Sequence, residues 1–166
     1  MCEKFEFRSI LIDDWSEAAE VEAICFPPNE ACSPKHIKER VEKASEMFLV
    51  AIDKETGKMA GFLNGLATDE EKFSDDFFLY ADLYNENGKN VMLLGLDVLP
   101  EYRMQGLGKG LVQEYIRREQ GKGRERLILT CLEPKVEMYK KMGFTDRGIS
   151  GSSWGGEEWH EMSIII

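Results

Sequence analysis

The chain has 166 residues, 43% of them apolar and 31% charged, which suits one globular domain with a substantial core. Its formal net charge of −10 argues against nonspecific nucleic-acid binding, which needs clustered Lys and Arg; it is compatible with a cationic substrate or simply a self-repelling surface. No apolar run is long enough to span a bilayer.

Phe5 to Ile12 alternates Phe5, Phe7 and Ile10 with polar residues and predicts a first strand. Asp13 and Asp14 are candidate caps for a helix carrying Ala18, Val21 and Ile24. Pro27 and Pro28 forbid regular helix across residues 26–32. Ser33-Pro34, an N-cap followed by proline at the first helical position, opens a second helix to about Ala44. Met47–Ile52 and Lys58–Leu66 read as two strands of a hairpin around Lys54-Glu55-Thr56-Gly57.

An acidic insert from Ala67 to Lys89 carries Phe73, Phe77, Phe78, Tyr80 and Tyr84 and predicts a helical turn or two. Val91–Leu99 is nearly all apolar, the pattern of a central strand buried on both faces. Gly106 to about Glu119 places Leu107, Leu111, Tyr115 and Ile116 on one helical stripe. Leu127–Cys131 (strand), Glu133–Lys141 (helix), Phe144–Ile149 and Trp159–Ile166 (strands) follow. No repeat or linker divides residues 1–166, so the order β-α-α-β-β-β-α-β-α-β-β predicts a single mixed α/β domain.

The start, Met-Cys-Glu-Lys-Phe-Glu, has neither the basic nor the apolar region of a signal peptide. Cys2, Cys25, Cys32 and Cys131 form no C-x-x-C pair, so a cytoplasmic protein with reduced thiols and no zinc site is expected.

The segment from Leu96 to Gly110 carries the strongest chemical signal. A strand ends at Pro100, and Arg103-x-x-Gly106-x-Gly108 leads into a helix. Glycines let the backbone turn tightly, and the first amides of the helix have no internal partner. With the helix dipole behind them, those donors suit a pyrophosphate. Leu127–Cys131 and then Tyr139-Lys-Lys-Met-Gly143-Phe144 follow in register.

Together these elements resemble the GNAT superfamily of acyltransferases. Within it, the chain is similar to the arylalkylamine (serotonin-type) N-acetyltransferases through Phe7-Arg8, Asn64-Gly65, Asp69-Glu70-Glu71-Lys72, Leu-x-Cys131 and Glu161-Met162. The resemblance implies a mixed sheet of about seven strands with helices on both faces and a splayed strand pair that binds acetyl-CoA. It implies that backbone groups of Leu96, Asp97 and Val98 pair with the pantetheine arm, as in an added strand. The pyrophosphate would sit among the amides of Met104, Gln105, Gly106, Leu107, Gly108 and Lys109, with Arg103 and Lys109 adding charge. Tyr139 would protonate the departing thiolate, and transfer would be direct, so Cys131 reads as buried rather than nucleophilic. A strand amide would polarise the thioester carbonyl.

By analogy, the amine pocket would form from residues 26–33 and the aromatic insert, with Phe26, Pro27, Glu30, Phe77 and Tyr80 as its candidate residues. The same aromatics equally suit anchoring the insert to the core. The resembled enzymes keep two histidines where this chain has Met92 and Leu94. Candidate replacements for the missing base are Glu30, Asp75, Asp76, Glu161, His36 and His160, or a water chain. Alternation along the strand points Asp97 away from Met92 and Leu94. The resulting expectation is an acetyl-CoA-dependent N-acetyltransferase for a small primary amine, with arylalkylamines first. Alternatives are acetylation of a peptide or protein amine, or a coenzyme A-binding module without catalysis. The sequence specifies no oligomeric state.

Overall fold

The computed structural model describes residues 4–166; Cys2 and the first residues read for an export signal lie outside them. The elements are β1 (Phe5–Ser9), α1 (Trp15–Cys25), α2 (Pro34–Ala44), β2 (Phe48–Asp53), β3 (Met59–Thr68), α3 (Asp76–Leu79) and β4 (Asn90–Val98). After them come α4 (Leu107–Gly121), β5 (Arg126–Cys131), α5 (Val136–Lys141), β6 (Thr145–Ile149) and β7 (His160–Ile165). Seven strands form one sheet in the order β1-β2-β3-β4-β5-β7-β6. Only β4 and β5 run parallel, joined by the α4 crossover. The helices cover both faces, α1 packing on β3 and β4, and α4 on β2, β3 and β4. Among the described residues, no helix is long and apolar enough to cross a membrane.

Local chemistry sets most boundaries. Ser33 Oγ accepts from the His36 amide, and Pro34 occupies the first turn of α2, as the sequence predicts. Gly57 takes φ +77° in the β2–β3 turn. The first strand is shorter than its alternation suggests, because Ile12–Asp14 turn into a 3-10 helix. Asp14 occupies the N-cap position of α1 without a side-chain cap bond and lies 3.5 Å from Arg8 instead. Ile24 is 59% exposed, whereas Ala18, Val21 and Glu22 form the buried stripe of α1. A carboxylate thus occupies a core position where helical spacing calls for an apolar residue.

Two irregularities in β4 create the site. First, its pairing with β5 covers only Asn90↔Arg126, Val91↔Leu127 and Met92↔Ile128, although both strands continue. Beyond Met92 the strands part. Second, Asn64 lies opposite Gly95 and Gly65 opposite Leu93, which leaves Leu94 as an unpaired bulge residue. The bulge breaks strict alternation, so Leu93, Leu94, Gly95 and Leu96 all border the gap.

Candidate active site

The gap between β4 and β5 holds a cavity of about 270 Å³. One end lies against α4 and α5 through Val112 and Tyr139, and the other against α1 and the loops through Glu22, Phe26 and Trp154. The cavity therefore passes through the sheet, joining a region suited to a phosphate-bearing donor to one walled by aromatics.

On the donor side, the first internal bond of α4 runs from the Gly110 amide to the Gly106 carbonyl at 3.0 Å. The amides of Leu107, Gly108 and Lys109 precede it and lack helical acceptors. Gly106 holds φ +79°, and Met104, at φ +63° and fully exposed, forms the tip of the loop. Gln105 braces the loop by donating to the Glu101 carbonyl at 3.3 Å. Leu107 buries its side chain in the core, and Lys109 is exposed. A Cβ on Gly108 would lie 3.9 Å from both Leu96 and Val98, so the helix end abuts the free edge of β4.

The Val98 carbonyl lies outside the ladder with β3, accepting from Arg103 Nε at 2.9 Å and from the Cys25 thiol at 3.4 Å. The Asp97 carbonyl points the other way, into β3, where a side chain on Gly61 would strike it. Of the three residues expected to meet the pantetheine arm, Leu96 and Val98 therefore present backbone groups to the gap. Asp97 does not, because its backbone belongs to the β3 ladder. Arg103 is an exposed side chain that orders the strand end through Nε.

Tyr139 is buried at the cavity wall. Helix α5 ends just beyond it: the amides of Met142 and Phe144 both donate to the Tyr139 carbonyl at 3.0 Å, and Gly143 takes φ +103°. That turn brings Phe144 edge-on to the phenol ring, 5.6 Å between centroids. The Tyr-x-x-x-Gly-Phe pattern is thus a helix stop that fixes a phenol. Burial, with the Cys131 thiol and the Asp97 carboxyl nearby, raises the Tyr139 pKa, so the phenol stays protonated through the ordinary pH range. Cys131 is buried, and its thiol is pushed up to about 11, mainly by burial, which is unsuited to nucleophilic attack.

On the acceptor side, Phe26, Pro27 and Glu30 line the cavity as expected from the sequence. Phe77 and Tyr80 do not. Phe77 turns into the core and Tyr80 is 55% exposed, while Phe78 between them faces the cavity. The insert makes only a short helical turn there, so one aromatic alone reaches the wall.

The sequence reading missed the segment between β6 and β7, which supplies Trp154 and Trp159. Trp154 stacks on Phe78 at 4.5 Å, and its indole N–H donates to the Glu30 carbonyl at 2.8 Å. Asn29 donates to the Gly155 carbonyl at 3.1 Å, and Asp75 accepts from the Ser152 hydroxyl at 2.5 Å and the Ser153 amide at 3.2 Å. Three loops are thereby laced over the acceptor end. The tryptophans were the available signal, in an otherwise Gly- and Ser-rich stretch.

Several candidate bases have other partners. His36 lies on the exposed start of α2 beside Ser33, and His160 pairs with Asp146 at 3.2 Å. Glu161 accepts from the Phe73 amide at 3.0 Å, and Asp75 holds the β6–β7 loop. Asp76 is exposed in the first turn of α3. Glu30 alone among these six lines the cavity. Glu22 lines it too, and Asp97 lies fully buried behind Gly95.

A family model described as "Acetyltransferase (GNAT) family" matches residues 7–144. The loading GNATL domain of CurA from Lyngbya majuscula has a similar structure, with TM-score 0.81, 17% identity and 97% of each chain covered. A GphF GNAT-like decarboxylase in complex with isobutyryl-CoA superposes with TM-score 0.74 at 16% identity, covering 96% of this chain and 98% of that one. A ribosomal-protein alanine N-acetyltransferase from Escherichia coli has TM-score 0.69 and 20% identity, covering 98% and 94%. At these identities the structural likenesses establish the fold and carry no acceptor.

Proposed function

The chain belongs to the GNAT family of acetyltransferases and uses an acyl-CoA donor, and from that premise we propose that it acetylates a small primary amine bearing an apolar or aromatic group. The observation carrying this reading is the aromatic wall: Phe26, Phe78, Trp154 and Trp159 line a cavity that Glu22 and Glu30 also border. An ammonium beside carboxylates, with its hydrocarbon part against aromatic faces, matches that lining. The loops that carry these walls are hydrogen-bonded to one another, which supports a small acceptor over a long peptide. Arylalkylamines are the first members of the class to test, supported by the scattered motifs shared with that enzyme type and by the aromatic walls.

Acetyl-CoA would lay its pantetheine arm along the edge of β4 at Leu96 and Val98 and its pyrophosphate on the α4 amides, with Arg103 and Lys109 adjacent. The residues fit: Gly108 lies beside the Leu96 and Val98 side chains, and the first-turn amides have no competing acceptor. The rate would come chiefly from holding amine and thioester together, with a strand amide polarising the carbonyl and Tyr139 protonating the thiolate. Thiol release from acetyl-CoA should be measured with phenylethylamine, tryptamine, polyamines, amino acids and short peptides. Turnover with the arylalkylamines is expected; turnover with peptides alone would overturn the acceptor class, and none at all would leave a coenzyme A-binding module.

A further inference from the structure

Glu22 and Asp97 come from different elements, α1 and β4, and meet beside Gly95. A Cβ placed on Gly95 would lie 3.1 Å from Asp97 Oδ1, 3.3 Å from Asn64 Nδ2 and 3.6 Å from Glu22 Oε1. Glycine at 95 is what makes room for these groups. Both carboxyls are almost wholly removed from water, at 3% and 0% exposure. Glu22 Oε2 accepts from the Cys32 amide at 2.9 Å, but Glu22 Oε1 and both Asp97 oxygens have no donor.

Three buried acceptor atoms without a donor are costly, and a single proton held between the two carboxyls supplies a partner for two of them, one oxygen on each side. Burial and the Glu22 carboxylate hold Asp97 well above the usual carboxylate range, so Asp97 carries that proton. The surroundings fix the arrangement. Arg40 from α2 donates to Asn64 Oδ1 at 3.3 Å and to Cys32 Sγ at 3.1 Å, placing one buried cation behind the pair. Cys25, Cys32 and Glu22 are the titratable groups acting on Asp97, and Tyr139 faces it from α5. Asp97 has no surface on the cavity, whereas Glu22 does.

We propose that Glu22 is the proton acceptor for the substrate ammonium and that Asp97 is its positioning residue; this rests on the amine-acyltransfer reading above. The ammonium gives one N–H proton to the Glu22 carboxyl, leaving a neutral amine. Its lone pair then forms the C–N bond as the C–S bond breaks. Tyr139 gives its proton to the thiolate and is reprotonated by the second proton leaving nitrogen; Glu22 returns the first to solvent. The products are the amide, coenzyme A thiol and one released proton.

The test compares wild type, Glu22→Gln and Asp97→Asn on an amine that wild type accepts, with coenzyme A binding measured by calorimetry. Glu22→Gln should lower kcat by about 10²–10⁴-fold at neutral pH with coenzyme A affinity unchanged. Its kcat/KM should rise about tenfold per pH unit up to the amine pKa, where wild type is flat, because only pre-deprotonated amine then reacts. An O-alkylhydroxylamine, uncharged at neutral pH, should be acetylated by this variant within a few-fold of wild type. Asp97→Asn should shift the acidic limb of the pH profile while retaining much of the activity. Infrared difference spectra of wild type should show a protonated-carboxyl band at pH 7 that Asp97→Asn removes. Unchanged kcat in Glu22→Gln, a loss confined to KM, or absence of the band overturns the assignment while the function stands. If wild type turns over no amine, the function itself falls and the assignment with it.

Discussion

The indole N–H of Trp154 donates to the backbone carbonyl of Glu30 at 2.8 Å, joining the β6–β7 loop to the α1–α2 loop across the acceptor end of the cavity. One side chain therefore closes the pocket, stacks on Phe78 and forms part of its wall. Trp154→Ala should raise KM for an accepted amine by about tenfold or more through loss of stacking and closure. Bulkier amines should become acceptable, while coenzyme A affinity stays unchanged. Steady-state kinetics over an amine size series, alongside calorimetry with coenzyme A, checks both.

Gly155 gives the same closure from the opposite strand of contacts. Its φ is +65°, and a Cβ there would lie 2.5 Å from the Asn29 carbonyl. Gly155→Ala must strain the loop or push it away from residue 29, so it should reproduce the kinetic phenotype of Trp154→Ala with every aromatic still present. Normal acceptor kinetics in this variant would show that the laced loops play no part in binding.

Tyr139→Phe keeps the ring that packs edge-on against Phe144 and removes only the hydroxyl. The variant should fold normally and bind coenzyme A as wild type does, while kcat falls by about 10²-fold. The alkaline limb of the rate profile should reflect the thiolate leaving group more than wild type does. A pre-steady-state measurement of thiol release separates this step from product dissociation.

Most of the framework is legible in the sequence. The α2 cap, the Gly106–Gly108 turn and the Gly143 helix stop are short-range devices, fixed by residues adjacent in sequence. The proposed donor half of the site is built from such devices, so its backbone shape is legible in the sequence. The proposed acceptor half joins residues up to 126 positions apart, as in the Asn29–Gly155 bond, and no local pattern announces that meeting. Asp97 shows a second failure. Alternation sets it apart from Met92 and Leu94, but the bulge at Leu94 shifts the register by one, so Asp97 opposite Phe62 lies on the same face as Met92 opposite Leu66. Glu22 was overlooked because the helix was given Ile24 on its inner stripe; spacing from Ala18 reaches Glu22 instead.

The raised pKa of Asp97 also predicts how stability depends on pH. A carboxyl protonated in the folded chain and ionised in the unfolded one favours unfolding at neutral pH. Its contribution is most favourable below the unfolded value of 3.8 and is lost as pH rises toward the folded value. Asp97→Asn, whose amide can donate to Glu22 without taking up a proton, should raise Tm at pH 7. That gain should shrink on acidification to about pH 4, near the unfolded value. Thermal melts of both proteins across pH 4–8, a window set about those values, give the comparison.

Arg40 ties α2 to the insert by donating to the Phe78 carbonyl at 2.8 Å, besides its contacts with Asn64 and Cys32. Arg40→Met leaves those buried acceptors unmet and should lower stability by about 2–3 kcal/mol. At this chain length that corresponds to a fall in Tm of roughly 5–10 °C. Acceptor binding should weaken as Phe78 loses its anchor, with coenzyme A binding much less affected.

In the proposed function, one continuous cavity through the β4–β5 split takes the donor at one end and a small aromatic amine at the other. Calorimetric titration with a conjugate of coenzyme A sulfur joined through an acetyl linker to tryptamine addresses it without requiring turnover. Binding at least about 10²-fold tighter than coenzyme A alone is predicted, as for a ligand resembling the transition state, and most of that gain should vanish in Trp154→Ala. A conjugate that binds no better than coenzyme A would contradict the account.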